Sequence, residues 1–211
     1  MMIISFISQK GGVGRSTLAR AAAVESARAG VSTHLGDLDS KQQTSAKWVE
    51  RRDNAGIFPG IGTGVYRRYD VVLKAANSYG CLIVDTQPYA DACSLDIARQ
   101  SNLVVIATGT SVDDLEPSLL LGHELMHKGI PHNRLLYVVG KTPSLAEGQS
   151  AIDTIRSWNF LCVSTFLTFK AGYSITLDAG HAITETAWKT LNRRARNIVN
   201  EILVRARQSG G

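Results

Sequence analysis

The feature that most restricts the fold is an alternation of short, near-continuous apolar runs with stretches of helical periodicity. The runs lie at Ile3–Ile7, Val31–Leu35, Cys81–Val84, Leu103–Ala107 and Leu135–Val139, with Leu161–Phe166 as a further candidate. Runs of this kind are typical of strands that are buried on both faces of a parallel sheet. Because helical segments connect them, we expect an α/β fold with an open, doubly wound, mostly parallel sheet flanked by helices.

Length and composition indicate one domain. The chain has 211 residues, and we expect a single domain over residues 1–208 followed by a disordered tail, 209–211. Its net charge of +5 permits a polyanionic partner without requiring one. Three widely spaced cysteines predict buried thiols rather than a disulfide framework. The N-terminus lacks signal-peptide features and no apolar run approaches a membrane span, so we expect a cytoplasmic protein.

A glycine-rich segment follows the first apolar run and opens a helix. It reads Lys10-Gly11-Gly12-Val13-Gly14-Arg15-Ser16-Thr17. Glycines allow successive backbone N–H groups to turn toward phosphate oxygens, and the helix adds its positive N-terminal end. The hydroxyl of Ser16 suits a Mg²⁺ ion that bridges phosphates. An unliganded strand-to-helix turn is the alternative, but residues 11–17 together favour a phosphate-binding loop.

This segment resembles the deviant Walker A motif of ParA/MinD ATPases, Lys-Gly-Gly-x-Gly-Lys-[Ser/Thr]-Thr, although Gln9 stands where a strict Walker pattern begins with glycine. The resemblance implies ATP and Mg²⁺ as cofactors. It also implies a homodimer that sandwiches nucleotide, with Lys10 reaching the partner's phosphates. Arg15 replaces the family's second lysine, and its planar guanidinium has a different shape from a lysine ammonium. We therefore expect nucleotide binding with weak or absent hydrolysis.

Two acidic motifs follow in the order that the resemblance implies. Asp37-Leu38-Asp39 ends the second apolar run, and Asp39 matches the family's water-orienting aspartate, while Asp37 is expected to support Mg²⁺ indirectly. Ser40-Lys41-Gln42 departs from the family's Pro-Gln, and an N-cap for the helix near residues 44–51 is an alternative role. Asp85 ends another apolar run in the Walker B manner and is expected to hold Mg²⁺ through water. The catalytic candidates are thus Lys10, Arg15 and Asp39.

The C-terminal segment predicts a long amphipathic helix with basic residues. Its candidate DNA contacts are Arg193, Arg194, Arg196 and Arg205, accompanied by Lys189 and Arg207. A solvated charged face is the simplest interpretation. A patch that contacts DNA phosphates is the second, and the resemblance to small plasmid-partition ParA proteins favours it. It implies non-specific DNA binding, nucleoid association and a centromere-binding partner protein. Membrane attachment, as in MinD, is a third alternative that we consider weaker.

A competing motif, His123-Glu124-Leu125-Met126-His127, fits the zincin pattern His-Glu-x-x-His. On a helix this spacing places two imidazoles on one face, so a zinc hydrolase is an alternative function. However, Gly129 and His132 are each one place short of the metzincin extension. Glu147 is the remaining ligand candidate, and it follows the next strand. We favour an amphipathic helix that packs on the sheet.

Two further segments are candidates for contacts with nucleotide. The stretch from Thr110 to Glu116 follows a strand and resembles a family loop near the nucleotide and the dimer face, with Asp113 as a contact or as a helix cap. The loop Lys141-Thr142-Pro143 is the candidate for contacting adenine.

Overall fold

The computed structural model describes residues 1–88 and 92–209, and its centre is a six-stranded sheet in which every neighbouring pair is parallel. The strands are β1 (Met2–Ile7), β2 (Thr33–Asp37), β3 (Gly62–Val65), β4 (Cys81–Asp85), β5 (Leu103–Thr108) and β6 (Leu135–Val139). Their order across the sheet is β3-β2-β4-β1-β5-β6. The chain crosses over on both sides of β1, which confirms the predicted doubly wound α/β fold.

Helices cover both faces of the sheet. They are α1 (Arg15–Arg28), α2 (Thr44–Asn54), α3 (Tyr69–Ala75), α4 (Ala92–Gln100), α5 (Val112–His127), α6 (Leu145–Ser157), α7 (Ala171–Asp178) and α8 (Lys189–Gln208). Alternate strand residues face opposite layers: Val105 of β5 joins a cluster with α1 and α8, whereas Val104 and Ile106 join one with α5 and α6. This two-sided burial explains why the strands read as continuous apolar runs.

The register of the central strands determines where the functional site lies. Asp37, the last residue of β2, is paired with Asp85, the last residue of β4. Asp85 is in turn paired with Phe6 of β1, one residue before that strand ends. Carboxyl ends of parallel strands meet at one edge of the sheet, so both acidic motifs lie beside the loop that leaves β1.

The segment 161–166 is not a strand of the sheet, although its apolar sequence favours one. It runs along the outer edge of β6, where Val163 N–H donates to the Tyr137 carbonyl at 3.0 Å and Cys162 forms an isolated bridge to Tyr137. Both the N–H and the hydroxyl of Ser164 donate to Glu201 of α8 at 2.9 Å, and pairing with β6 resumes where the Leu167 N–H donates to the Val139 carbonyl at 3.0 Å. These separate contacts do not form a continuous ladder.

Two smaller predictions concern the C-terminal tail and the cysteine thiols. Ser209 forms a turn after α8, while residues 210–211 lie outside the described part of the chain, so the disordered tail stays a prediction. Cys81 and Cys162 are buried, as expected, and burial raises the pKa of their thiols to about 11 and about 12.

A buried ion pair fixes α2 to the segment that precedes α8. The Arg52 side chain is fully buried, and its guanidinium donates to both carboxylate oxygens of Glu185, at 2.7 and 3.0 Å. Burial alone would raise the pKa of Glu185, but the hydrogen bonds from Arg52 and from the Ala182 N–H lower it by more than burial raises it. The pKa of Glu185 therefore lies below its ordinary value. Ionised Glu185 therefore stabilises the fold at neutral pH.

Candidate functional site

The loop between β1 and α1 has the backbone of a phosphate cradle. Gly12 and Gly14 have φ values of +83° and +97°, which residues with a side chain rarely adopt. A Cβ atom added at either glycine, or at Gly11, would meet no atom within 4 Å, so this side of the loop is open. A pocket of about 130 Å³ lies there, lined by Ser8, Lys10, Gly12, Gly14, Arg15, Ser16, Thr17 and Lys141. The positive N-terminus of α1 favours an anion in this pocket.

Arg15, the residue that departs from the family's motif, makes its contacts with strand ends. Its side chain is 9% exposed, and Nε donates to Asp85 Oδ1 at 2.9 Å. Its Nη1 donates to the hydroxyl of Ser8 at 3.0 Å. The planar guanidinium bridges both acceptors at once, which the single ammonium of a lysine does less well.

Asp85 has a second partner, and a second arginine lies behind it. The Ser45 hydroxyl donates to Asp85 Oδ2 at 2.7 Å, so both carboxylate oxygens accept a hydrogen bond. Ser45 Oγ also accepts from Nε of Arg20 at 3.2 Å. Burial lowers the pKa of Arg20, while the charges of Asp85 and Asp37 act to raise it. Sequence reasoning missed Arg20, although an arginine in the middle of the alanine-rich α1 was the available indication.

Asp37 holds the start of α2. Its Oδ2 accepts from the N–H groups of Ser45 and Ala46 at 2.8 and 3.1 Å, and Oδ1 accepts from Asp39 N–H at 2.9 Å. Burial and the neighbouring charge of Asp85 raise the pKa of Asp37, and these backbone hydrogen bonds lower it in part. The carboxylate of Asp37 thus caps the N-terminus of α2.

Asp39 holds the turn that precedes α2. Its Oδ1 accepts from the N–H groups of Lys41 and Gln42 at 3.2 and 3.0 Å, and its side chain is buried. The alternative that an acidic residue caps α2 therefore applies to Asp37, whereas Asp39 stabilises the adjoining turn. Its expected role in orienting water stays a prediction.

Lys10 points to a residue of α5 within its own chain. Its Nζ lies 3.3 Å from Asp114 Oδ1, and the Lys10 side chain is 40% exposed. Asp114 Oδ2 also accepts from the Ser111 hydroxyl at 2.8 Å. The sequence singled out the neighbouring Asp113, which is exposed, so the contact falls one residue later than expected.

A smaller, more apolar pocket of about 70 Å³ adjoins the phosphate pocket. The two share Gly14, Thr17 and Lys141, and the second continues along Leu167, Thr168, Phe169, Lys170, Tyr173, Ser174 and Leu177. This pocket suits a flat base attached to phosphates in the first. Of the predicted adenine loop, Lys141 lines both pockets, whereas Pro143 lines a separate cleft.

The zincin-like motif lies on α5, the crossover helix between β5 and β6. His123 contacts the rings of Trp158 and Phe160, with centroids 5.7 and 4.9 Å away. Glu147 instead accepts from the Ser144 hydroxyl at 3.0 Å. Within residues 1–88 and 92–209 no group of three or more His, Cys, Asp and Glu side chains could hold a metal ion. The arrangement fits a helix that packs on the sheet.

The basic residues of α8 lie on two flanks of its buried stripe. Arg194 and Arg205 are separated by about three full helical turns, which places them on one flank. Arg196 lies on the other flank, where Nη2 donates to the Thr184 carbonyl at 3.1 Å. Arg193 is exposed between the flanks. No helix in the described part of the chain combines the length and apolarity needed to cross a bilayer.

The chain is similar to known proteins in the sequence of its N-terminal part and in its fold. Residues 2–87 match the family model described as ATPase MipZ. The fold is similar to MinD of Pyrococcus horikoshii complexed with Mg-ADP (TM-score 0.74, 12% identity, 95% of each chain covered). It is similar to the MinC:MinD complex of Aquifex aeolicus (0.76, 11%, 97% of this chain and 96% of that chain). A putative plasmid partition protein of Borrelia burgdorferi bound to AMPPNP also matches (0.73, 15%, 96% and 98%).

No curated protein matches the sequence. At these identities the solved structures show the fold alone, and the family model matches less than half of the chain. The matched segment contains the glycine-rich loop, both acidic motifs and strands β1 to β4. Residues 2–87 are thus similar in sequence to ATPase MipZ, and the whole chain has the fold of MinD and of plasmid partition proteins.

Proposed function

We propose that this chain is a ParA-type ATPase of DNA partition, which binds ATP with Mg²⁺, forms a nucleotide-sandwich homodimer and holds non-specific DNA at the nucleoid. The observation that carries the proposal is the open phosphate cradle with Lys10 at its rim, 40% exposed and held by one ion pair within the chain. A lysine in that position is available to a second copy of the site once Asp114 releases it.

The phosphate pocket fits a nucleotide, and its fit to Mg²⁺ is conditional. Mg²⁺ would neutralise charge on the bound phosphates, and Ser16 in the pocket is the residue to hold it directly. Asp85 and Asp37 are the predicted supporting carboxylates, but all four of their oxygens already accept hydrogen bonds from the protein. The ion pair with Arg15 competes with Mg²⁺ for Asp85, although each Asp85 oxygen keeps a second lone pair that could accept from a water bound to the ion.

Arg15 is therefore the residue that we expect to limit hydrolysis. Stabilising the transferred phosphoryl group requires a cation in the phosphate pocket. The guanidinium of Arg15 instead pairs with Asp85 at the strand end. Breaking that pair would leave the buried carboxylate of Asp85 without its cation, which is unfavourable. Binding of nucleotide with slow turnover follows, with Asp39 proposed to orient the attacking water.

We propose that DNA binds to the basic residues of α8. The exposed Arg193 and the flanking Arg194, Arg196 and Arg205 would contact phosphates without reading sequence. A centromere-binding protein would complete the system by stimulating turnover and release. The MinC:MinD complex shows that a protein of this fold assembles with a partner in Aquifex aeolicus.

Mass measurement in solution with ADP, with ATP or without nucleotide tests the central claim. We expect a dimer with ATP only, and a monomer with ATP for Lys10→Ala at unchanged ATP affinity. A wild-type chain that binds ATP and remains monomeric would contradict the sandwich mechanism. Gel shifts with non-specific duplex over a salt series test the DNA claim separately, since phosphate contacts weaken steeply with salt.

A further inference from the structure

A cleft of about 620 Å³ lies outside the phosphate pocket, and two of the proposed DNA contacts, Arg193 and Arg194, line it. It opens between the loop after β6, the segment 165–170 that precedes α7, and the first turns of α8. It shares only Thr168 and Lys170 with the apolar pocket that adjoins the phosphate loop. Its volume falls within the range of about 300–1,000 Å³ that is usual for small-molecule sites.

The charge of the cleft is positive. Lys170, Arg193 and Arg194 line it, and no aspartate or glutamate is among its described lining residues. Two carboxylates of the flanking elements are hydrogen-bonded to serines: Glu147 accepts from Ser144 at the wall of the cleft, and Glu201 accepts from Ser164. An anion that enters the cleft would therefore meet three cations that line it.

Arg194 carries an unmet hydrogen-bonding requirement. Its Nη1 is buried and has no hydrogen-bond partner among the described residues. The guanidinium carbon lies 5.4 Å from the centre of the Phe166 ring, so one side of this cation is held against an aromatic face. A buried charged donor without an acceptor is costly, and an acceptor supplied by a ligand would remove that cost.

Neutral donors and helix ends complete an environment suited to phosphate. Hydroxyl groups come from Thr165, Thr168 and Thr190. Ser144 is the N-cap of α6, Lys170 that of α7, and Thr190 lies in the first turn of α8. Three helix N-termini thus border one cleft, and each favours negative charge.

We propose that this cleft binds a small phosphorylated molecule, which goes beyond the nucleotide and DNA binding proposed above. Phosphate offers several acceptor oxygens and matches the guanidinium fork of Arg194. The buried Nη1 of Arg194 and the position of its guanidinium over the Phe166 ring favour a small ligand that enters the cleft, so we assign Arg194 to the cleft rather than to the DNA surface. The shared Thr168 and Lys170 place this ligand next to the proposed base pocket.

Backbone-amide NMR with inorganic phosphate and with glucose 6-phosphate tests the proposal, at an ionic strength held constant with potassium chloride. We expect saturable shifts of Thr168 and Asn197, separate from any shifts at Gly11–Ser16 that report phosphate in the nucleotide loop. Arg194→Gln should weaken binding at the cleft about tenfold or more. Arg156→Gln, the same charge change at the far end of α6, should leave the affinity unchanged.

Three outcomes would overturn the proposal. The first is the absence of a saturable shift at Thr168 and Asn197 with either probe. The second is equal affinity in wild type and Arg194→Gln. The third is a shift of these amides by duplex DNA but by neither small probe, which would assign the cleft to DNA. If Arg194→Gln loses its dispersed spectrum, Lys170→Gln supplies the same comparison.

Discussion

Replacing Arg15 by lysine should raise the rate of ATP hydrolysis. In the resting protein Arg15 donates to Asp85 at 2.9 Å and to Ser8 at 3.0 Å from a nearly buried position. Hydrogen bonds to charged groups contribute about 1.5–3 kcal/mol each. A preference of that size means that the guanidinium is found at Asp85 about 10–100 times more often than at the phosphates. A lysine ammonium bridges both acceptors less well, so we expect it to be released to the phosphates more readily.

The assay is steady-state phosphate release at saturating ATP and Mg²⁺, with ATP affinity measured separately by calorimetry. We expect Arg15→Lys to hydrolyse ATP about 10–100 times faster than the wild type. Arg15→Met, which removes the charge and keeps an unbranched side chain, should show no gain. Equal rates for wild type and Arg15→Lys at equal ATP affinity would refute the reasoning, because the pair with Asp85 would then have no influence on turnover.

Three other changes test separate parts of the structure. Asp114→Asn removes the competitor of Lys10, a pair worth up to about 1 kcal/mol, so ATP-dependent dimerisation measured by ultracentrifugation should strengthen by up to about fivefold rather than weaken. Gly140→Ala places a Cβ atom 2.5 Å from the Val13 carbonyl oxygen, so thermal unfolding should show a loss of about 1–3 kcal/mol, and ADP affinity should fall as well. Glu185→Gln should cost about 3 kcal/mol at pH 7 in urea unfolding. Since the pKa of Glu185 is lowered in the folded protein, the wild type should lose this advantage as pH falls below about 4, and a pH-independent difference would contradict the ion-pair account.

The strands of the sheet were predictable because both of its faces are buried. Leu103–Thr108 and Leu135–Val139 are apolar at nearly every position, and the structure forms strands there. The segment 161–166 is also largely apolar, yet it makes only isolated backbone contacts with the edge of β6. Such a choice depends on tertiary packing and leaves no local pattern, so apolarity alone overstated the sheet by one strand.

The candidate site was predictable as a set of residues but not as a set of contacts. Motif order brings Asp37, Asp85 and the phosphate loop to one edge of the sheet, and the register places them there. The partner of each charge was not predictable, because it depends on side-chain reach across helices. Ser45 and Arg20 lie in α2 and α1 and match no part of the motifs, yet they form the chain of contacts behind Asp85.

The segment along β6 also limits how copies of this protein can assemble. An exposed strand edge is a template on which another chain can add, and it is one route to fibres. Here the N–H and carbonyl of Tyr137 and the carbonyl of Val139 are paired with Leu161, Val163 and Leu167. That side of the sheet is therefore less open to the addition of a strand. Any filament that forms on this side would have to grow through helix or loop surfaces.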